Sequence, residues 1–257
     1  MIKLEDVDGE LVDLGLFKFS GGEVHFKVSA SPYFMPNPIT ITSDFKDPDD
    51  VMTLLLLSDY LGEKGLKVNL AMEYIPYSRQ DRATSELEPF SLKTFARVIN
   101  SCEFGKVVLF DPHSDVTPAL LNNCFVVKRV DLIPVGILHN AIIVSPDAGA
   151  QKSNNEVSSS YGLEHIIATK ERDVSTGAIT ATKVHTDIEL KGRRLVICDD
   201  ICDGGRTFIE LAKVLREYEP ESIHLYVTYG IFSKGLECVK EHFDSITSYF
   251  GDSNNED

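Results

Sequence analysis

The chain has 257 residues, 43% of them hydrophobic, enough to bury one large α/β core or two modest ones. Its 25 Lys and Arg against 40 Asp and Glu give a formal charge of −15, which repels nucleic acid and anionic lipid and excludes both as expected partners. Any phosphate ligand must therefore be held by local donors or by metal ions, against the field of the whole chain.

In chain order, Met1 to Asp13 is acidic and has no apolar h-region, so no signal peptide is expected. β-rich runs at 24–28, 39–42, 67–72, 106–110, 141–144, 165–169, 194–198 and 223–228 predict strands. Between them lie helical patterns. Residues 49–61 are apolar on one side. Leu92, Phe95, Ala96 and Ile99 recur at helical spacing, as do Leu211, Val214, Leu215 and Tyr218. The longest apolar run, Leu54–Leu57, is far too short to cross a bilayer. Strand–helix alternation of this kind predicts parallel sheets covered by helices. Pro134, Gly136 and Asn140 mark a turn-rich break. The expected division is an N-terminal α/β domain over 1–133 and a C-terminal one over 134–250, with the ligand site between them and a disordered acidic tail over 251–257. Cys102, Cys124, Cys198, Cys202 and Cys238 form no CxxC pair and lie near no His at zinc-finger spacing. They are expected to be reduced structural thiols in a cytoplasmic protein.

The most informative segment runs from Arg194 to Phe208, RLVICDDICDGGRTF: an apolar strand, paired aspartates, a glycine turn and the start of a helix. Glycines at a strand-to-helix turn let backbone N–H groups converge on an anion at the helix N-terminus. Asp199 and Asp200 fall at the carboxyl end of the strand, where open α/β sheets place ligands. Adjacent carboxylates suit vicinal sugar hydroxyls, which donate hydrogen bonds, or a magnesium ion. The plain alternative is that Asp199, Asp200 and Asp203 are turn formers and caps. No Walker A loop is present.

This segment resembles the phosphoribosyl pyrophosphate (PRPP) loop of type I phosphoribosyltransferases and of PRPP synthetases. Six further segments select the synthetases: FSGGEV at 19–24, YIPYSRQDR at 74–82, FDPHSD at 110–115, VSPDAG at 144–149, KER at 170–172 and TYGIFS at 228–233. Each is short, but their order is kept from residue 17 to about residue 235. The resemblance implies two type I phosphoribosyltransferase-type domains, each a mostly parallel sheet flanked by helices. It also implies an ATP-dependent diphosphokinase that moves the β,γ-diphosphate of ATP to the anomeric hydroxyl of a ribose 5-phosphate unit and releases AMP.

By the same resemblance, Phe19 and Glu23 would hold the adenine, and Arg79 and Gln80 the ATP phosphates. His113 and Asp147 would bind Mg²⁺, with His113 also close to ATP. Lys170 and Arg172 would act from a mobile loop on the transferring group. Asp199 and Asp200 would take the ribose hydroxyls, and Asp203, Gly204, Gly205, Arg206 and Thr207 would form the 5-phosphate loop. Each has a plain competitor: His113 as a core or turn histidine, Arg79 and Arg82 as surface arginines paired with Asp81 and Glu86, Lys170 and Arg172 as a charged strand end, Phe19 as core. A homodimer or higher homo-oligomer is implied, since the family binds ATP at subunit contacts.

The chain departs from the family pattern in three ways. It is several tens of residues shorter than usual members, in the part tied there to subunit packing and regulation. Gly21 stands where the family carries Asp or Asn. In the phosphate loop, Gly204 replaces a threonine and Arg206 a glycine, which opens space and adds a cationic fork suited to bridging phosphates. Short relatives in NAD salvage act on ADP-ribose, and the loop leans narrowly to that acceptor, with ribose 5-phosphate as the alternative. A non-catalytic synthetase-associated subunit and a PRPP-consuming phosphoribosyltransferase are the rival classes.

Overall fold

The computed structural model describes residues 2–5, 10–29, 31–32, 35, 37–172 and 179–251, the side chains of 170–172 and 179–182 excepted. The chain divides into two compact units, Met1–Val127 and Lys128–Asp257. The division falls six residues before the boundary read from the sequence, so residues 128–133 belong to the second unit.

In the first unit, β1 (Ile2–Glu5) pairs antiparallel with β2 (Leu11–Val12). A separate antiparallel ribbon, β3 (Phe17–Lys18) and β4 (Val24–His25), follows. Then come β5 (Ile39–Ser43), α1 (Pro48–Glu63), β6 (Val68–Met72), α2 (Ser91–Ser101), β7 (Val107–Phe110), α3 (Val116–Leu120) and β8 (Cys124–Val127). The six-stranded sheet has the order β2-β1-β5-β6-β7-β8, with β5 to β8 parallel and β1 antiparallel to β5. Helix α1 starts where the sequence chemistry dictates. The Asp47 carboxylate accepts the N–H groups of Asp49 (2.8 Å) and Asp50 (3.2 Å), and Pro48 occupies the first turn, where its missing N–H costs nothing. Helix α2 buries Leu92, Phe95, Ala96 and Ile99, the stripe read from spacing.

The second unit runs α4 (Arg129–Leu132), a 3-10 turn (Val135–Leu138), β9 (Ala141–Ser145), α5 (Gln151–Tyr161), β10 (Glu164–Arg172), β11 (Ile179–Val184), β12 (Arg194–Cys202), α6 (Arg206–Arg216), β13 (Ser222–Gly230), α7 (Glu237–Lys240) and β14 (Ser245–Gly251). Its sheet order is β11-β10-β9-β12-β13-β14, parallel except for the antiparallel edge strand β11. Alternate residues of the central strands enter two different cores. Ile142, Val144, Leu195, Ile197, Leu225 and Val227 face one, and Ile143, Val196, Cys198 and Tyr226 the other. Both faces are therefore covered, as parallel sheets require.

Three features differ from the sequence reading. Strands β1, β8, β11 and β14 and helix α5 lie in segments without a clear period. Gly251, placed in the tail by sequence, ends β14 with φ +91, and residues 252–257 lie outside the described residues. Lys170 and Arg172, expected on a loop, have their backbone in β10, opposite Thr182 and Ile179 of β11. Beyond Ile167 that strand has left its neighbour β9 and pairs with β11 instead. No described helix is long and apolar enough to cross a membrane.

Leu211 is fully buried on α6. Leu211→Ala should lower stability by about 2–5 kcal/mol, because transfer and cavity costs add; a denaturant or thermal melt measures it.

Candidate active site

In the second unit the parallel strands run β10-β9-β12-β13-β14, so the chain leaves β9 for one neighbour and returns on its other side at β12. This is a topological switch point, where the loops at the carboxyl ends part and leave a crevice. The loop after β9 carries Asp147, and β12 ends in Asp199–Cys202 before Asp203–Gly205 turn the chain into α6. Sheet topology thus brings these two sequence motifs to one edge.

Asp200 is buried and Asp199 nearly so. The Asp199 carboxylate accepts the Asp200 N–H at 2.9 Å. Burial raises the Asp199 carboxyl well above the usual range, Asp200 adds to the rise, and the Arg129 guanidinium opposes it. Arg129 lies 3.8 Å from Asp199 Oδ1. It donates to Asn154 Oδ1 at 2.7 Å and to the Cys198 carbonyl at 3.4 Å. Asn154 donates in turn to that carbonyl (2.8 Å) and to Ser145 Oγ (2.9 Å), and Ser145 Oγ lies 2.8 Å from His165 Nε2. Burial holds His165 below the ordinary imidazole value.

After Cys202 the chain turns into α6. Gly205 caps the helix in the left-handed region (φ +74), and a Cβ there would meet Val239 Cγ2 at 2.6 Å. Only glycine satisfies both conditions. The helix N-terminus presents unpaired N–H groups at Arg206 and Thr207. Asp203 does more than turn the chain: its carboxylate accepts Ser233 Oγ (2.6 Å), and its carbonyl accepts the Ser233 N–H (3.2 Å). The Cys202 carbonyl accepts the N–H groups of Ile231 (2.8 Å) and Phe232 (3.2 Å). The TYGIFS segment therefore braces the glycine turn. The Cys202 thiol is pushed up to about 12 by burial and by Asp199 and Asp203.

Gly204 lies under the stem of Lys234: a Cβ at Gly204 would meet Lys234 Cε at 3.5 Å and Cδ at 3.6 Å. Arg206 is exposed at the start of α6, and among the described residues it forms no ion pair. The Asp147 Oδ1 atom accepts the N–H groups of Gly149 (3.0 Å) and Ala150 (3.4 Å), which fixes the carboxylate at the entry to α5. For Lys170 and Arg172 the backbone is described and the side chains lie outside the described residues.

In the first unit, considered by itself, Arg79, Gln80 and His113 are exposed on loops that follow β6 and β7 at their carboxyl ends. His113 is thus not a core histidine. Phe45, Tyr77 and Asp111 hold positive φ (43, 61 and 41) just past β5, β6 and β7. Such conformations cost bulky residues free energy and gather where loops are shaped for a ligand. Packing fixes them: the Phe45 and Tyr77 rings both lie 5.7 Å from Phe95 of α2, and Ile75 and Ser78 are buried. Phe19 is not core but 55% exposed on the β3–β4 ribbon, 5.2 Å from Phe17 and 5.7 Å from His25. The Glu23 carboxylate folds over Gly21, where a Cβ would meet its Oε2 at 2.6 Å.

Among the described residues no three His, Cys, Asp or Glu side chains are grouped to hold a metal ion. The donors present fit Mg²⁺ bound by a carboxylate and by the phosphates of a substrate, and not a closed protein cage. Sequence reasoning missed Arg129, Asn154 and Lys234. Arg129 and Asn154 carry no motif, and only the buried position of a polar residue on α5 reveals them.

The fold and the acidic strand end followed by a glycine-capped helix define a phosphoribosyltransferase-type α/β protein. The family model described as "Phosphoribosyl transferase domain" matches residues 136–255. The chain is 30% identical to the ribose-phosphate pyrophosphokinase of Pyrococcus abyssi, over 93% of this chain and 84% of the relative. It is 28% identical to that of Thermococcus kodakarensis, over 95% and 87%. The crystal structure of phosphoribosylpyrophosphate synthetase from Mycobacterium smegmatis shares the fold, with a TM-score of 0.77 at 18% identity, over 95% of this chain and 88% of that one. The chain belongs to the ribose-phosphate pyrophosphokinase, or PRPP synthetase, family, and is a transferase of that type.

Gly205→Ala should cost about 1–3 kcal/mol, from the left-handed backbone and the contact with Val239. A melt of the variant beside Gly204→Ala, which meets only the flexible Lys234 stem, separates this strain from a general loss of loop stability.

Proposed function

We propose that the chain transfers the β,γ-diphosphate of ATP to the C1 hydroxyl of a ribose 5-phosphate unit. The sugar O1 attacks the β-phosphorus, the bond from that phosphorus to the α–β bridging oxygen breaks, AMP leaves with that oxygen, and the hydroxyl proton passes to solvent. The observation that carries this reading is the Asp199–Asp200 pair at the carboxyl end of β12, followed directly by a glycine turn into the N-terminus of α6. The carboxylates accept hydrogen bonds from the sugar 2- and 3-hydroxyls, and the N–H groups at 205–207 take the 5-phosphate. The names of the relatives, which refer to ribose phosphate, support the same chemistry.

Within this reading, exposed Phe19 offers a ring face to adenine with Glu23 beside it, and Arg79 and Gln80 meet the triphosphate. Lys170 and Arg172 stabilise charge on the transferring group. Asp147 in the second unit and His113 in the first are each a candidate Mg²⁺ ligand; the ion would neutralise phosphate oxygens. Alignment and charge neutralisation are the main demands of such a transfer. The reading includes a cytoplasmic setting and at least a homodimer.

A second reading of the acceptor rests on one place. Gly204 has no side chain, Lys234 crosses it, and Arg206 opens α6 exposed, with no ion pair among the described residues. Two cationic side chains at the mouth of the loop suit a 5-phosphate that continues into a second phosphate, as in ADP-ribose.

Incubation with ATP, Mg²⁺ and either acceptor, followed by mass spectrometry, should give AMP and the matching 1-diphosphate. Turnover of ribose 5-phosphate with none of ADP-ribose would remove the second reading. If that reading holds, Arg206→Ala should raise KM for ADP-ribose about tenfold and leave that for ribose 5-phosphate within about twofold. Lys170→Ala or Arg172→Ala should lower kcat by about 10²–10³ with ATP affinity largely kept; an unchanged rate contradicts their role.

A further inference from the structure

Arg129 is 3% exposed and is the one basic side chain among the described buried residues. It lies on the short helix α4, outside every motif that marks the reaction. Its partners converge on the switch point: Asn154 from α5, the Cys198 carbonyl from β12, and Asp199 one residue further along the same strand. Asn154 is wholly buried, and its amide is used on both sides. Its oxygen accepts from Arg129, and its nitrogen donates to the Cys198 carbonyl and to Ser145 Oγ at the end of β9. The frame thus links α4, α5, β9 and β12 immediately beneath the acidic pair.

A buried guanidinium is a poor device for stability alone, since apolar side chains of similar volume commonly serve as well or better. It is well suited to fixing a carboxylate that must stay in place beside a second one. Two adjacent carboxylates repel each other, and burial disfavours the charge on both. A fixed cation on the side away from the crevice offsets that repulsion and leaves the outward lone pairs for a ligand.

We propose that Arg129 is a positioning residue for the acceptor sugar: held by Asn154 and the Cys198 carbonyl, it fixes the Asp199 carboxylate in the orientation that receives the vicinal hydroxyls. This rests on the reading of Asp199 and Asp200 as the sugar-binding pair. ATP does not touch this frame in that reading, so the effect of Arg129 is confined to the acceptor.

The test compares wild type with Arg129→Met, which keeps the stem and loses the charge, and Arg129→Lys, which keeps the charge and loses the planar fork. Arg129→Met should raise KM for the acceptor about tenfold or more, with KM for ATP within about twofold, because the counter-charge that holds the Asp199 carboxylate is lost at the acceptor side only. Arg129→Lys should recover part of that loss. A folded Arg129→Met with unchanged acceptor KM overturns the proposal, as does a parallel loss for both substrates, which is what a purely structural arginine gives. Should Arg129→Met fail to fold, Arg129→Lys decides alone: a selective rise in acceptor KM supports the proposal and unchanged kinetics overturn it. If wild type releases no AMP with either acceptor, the diphosphokinase reading fails by itself. Calorimetric binding of ribose 5-phosphate to wild type and Arg129→Lys then decides: weaker binding by the variant supports the role, while equal binding, or none by wild type, overturns it.

Discussion

A guanidinium with almost no access to water lies 3.8 Å from the Asp199 carboxylate, and much of the second unit is arranged so that this charge is matched. Asn154 spends its whole amide on the frame, the Cys198 carbonyl accepts from both Asn154 and Arg129, and Ser145 and His165 continue the chain of polar contacts to the neighbouring strands. Removing any member would leave a polar group without its partner in a place water does not reach, the costliest kind of loss in a protein interior. The acidic strand end exists because its counter-charge is built in beneath it.

The same logic governs anion binding. A chain with a net charge of −15 gives phosphate no general attraction. What attraction there is must come from fixed local dipoles and a few cations, and the fold supplies them at strand ends: a glycine-capped helix after β12, and arginine-bearing loops after β6 in the first unit. The braces on these loops are of two kinds. In the second unit they are backbone hydrogen bonds from the segment after β13; in the first they are aromatic contacts on Phe95.

Much of this was legible in the sequence, for physical reasons that differ by element. Helices α1, α2 and α6 announce themselves through apolar stripes and, for α1, through Asp47 and Pro48. The strand–DDxxDGG–helix segment was legible because glycine and aspartate at a turn have few alternatives. Helix α5 was not, since its buried face is Asn154, Val157 and Ser158 and it carries no apolar period. That polar face exists to meet Arg129, so the helix and the arginine were hidden together. Strand β1, paired between β2 and β5, and edge strand β14 were missed because neither carries a continuous apolar run. Lys170 and Arg172 were expected on a loop, and their place on a strand follows from the pairing of β10 with β11, which no local pattern encodes.

The cysteine at the end of β12 illustrates how the surroundings of an acidic turn protect it. Cys202 has no exposure to solvent, and burial, with Asp199 and Asp203 adding to it, holds its proton up to about 12. Peroxides and alkylating agents react with an accessible thiolate, and the packing that seats the glycine turn withholds both access and charge from this sulfur.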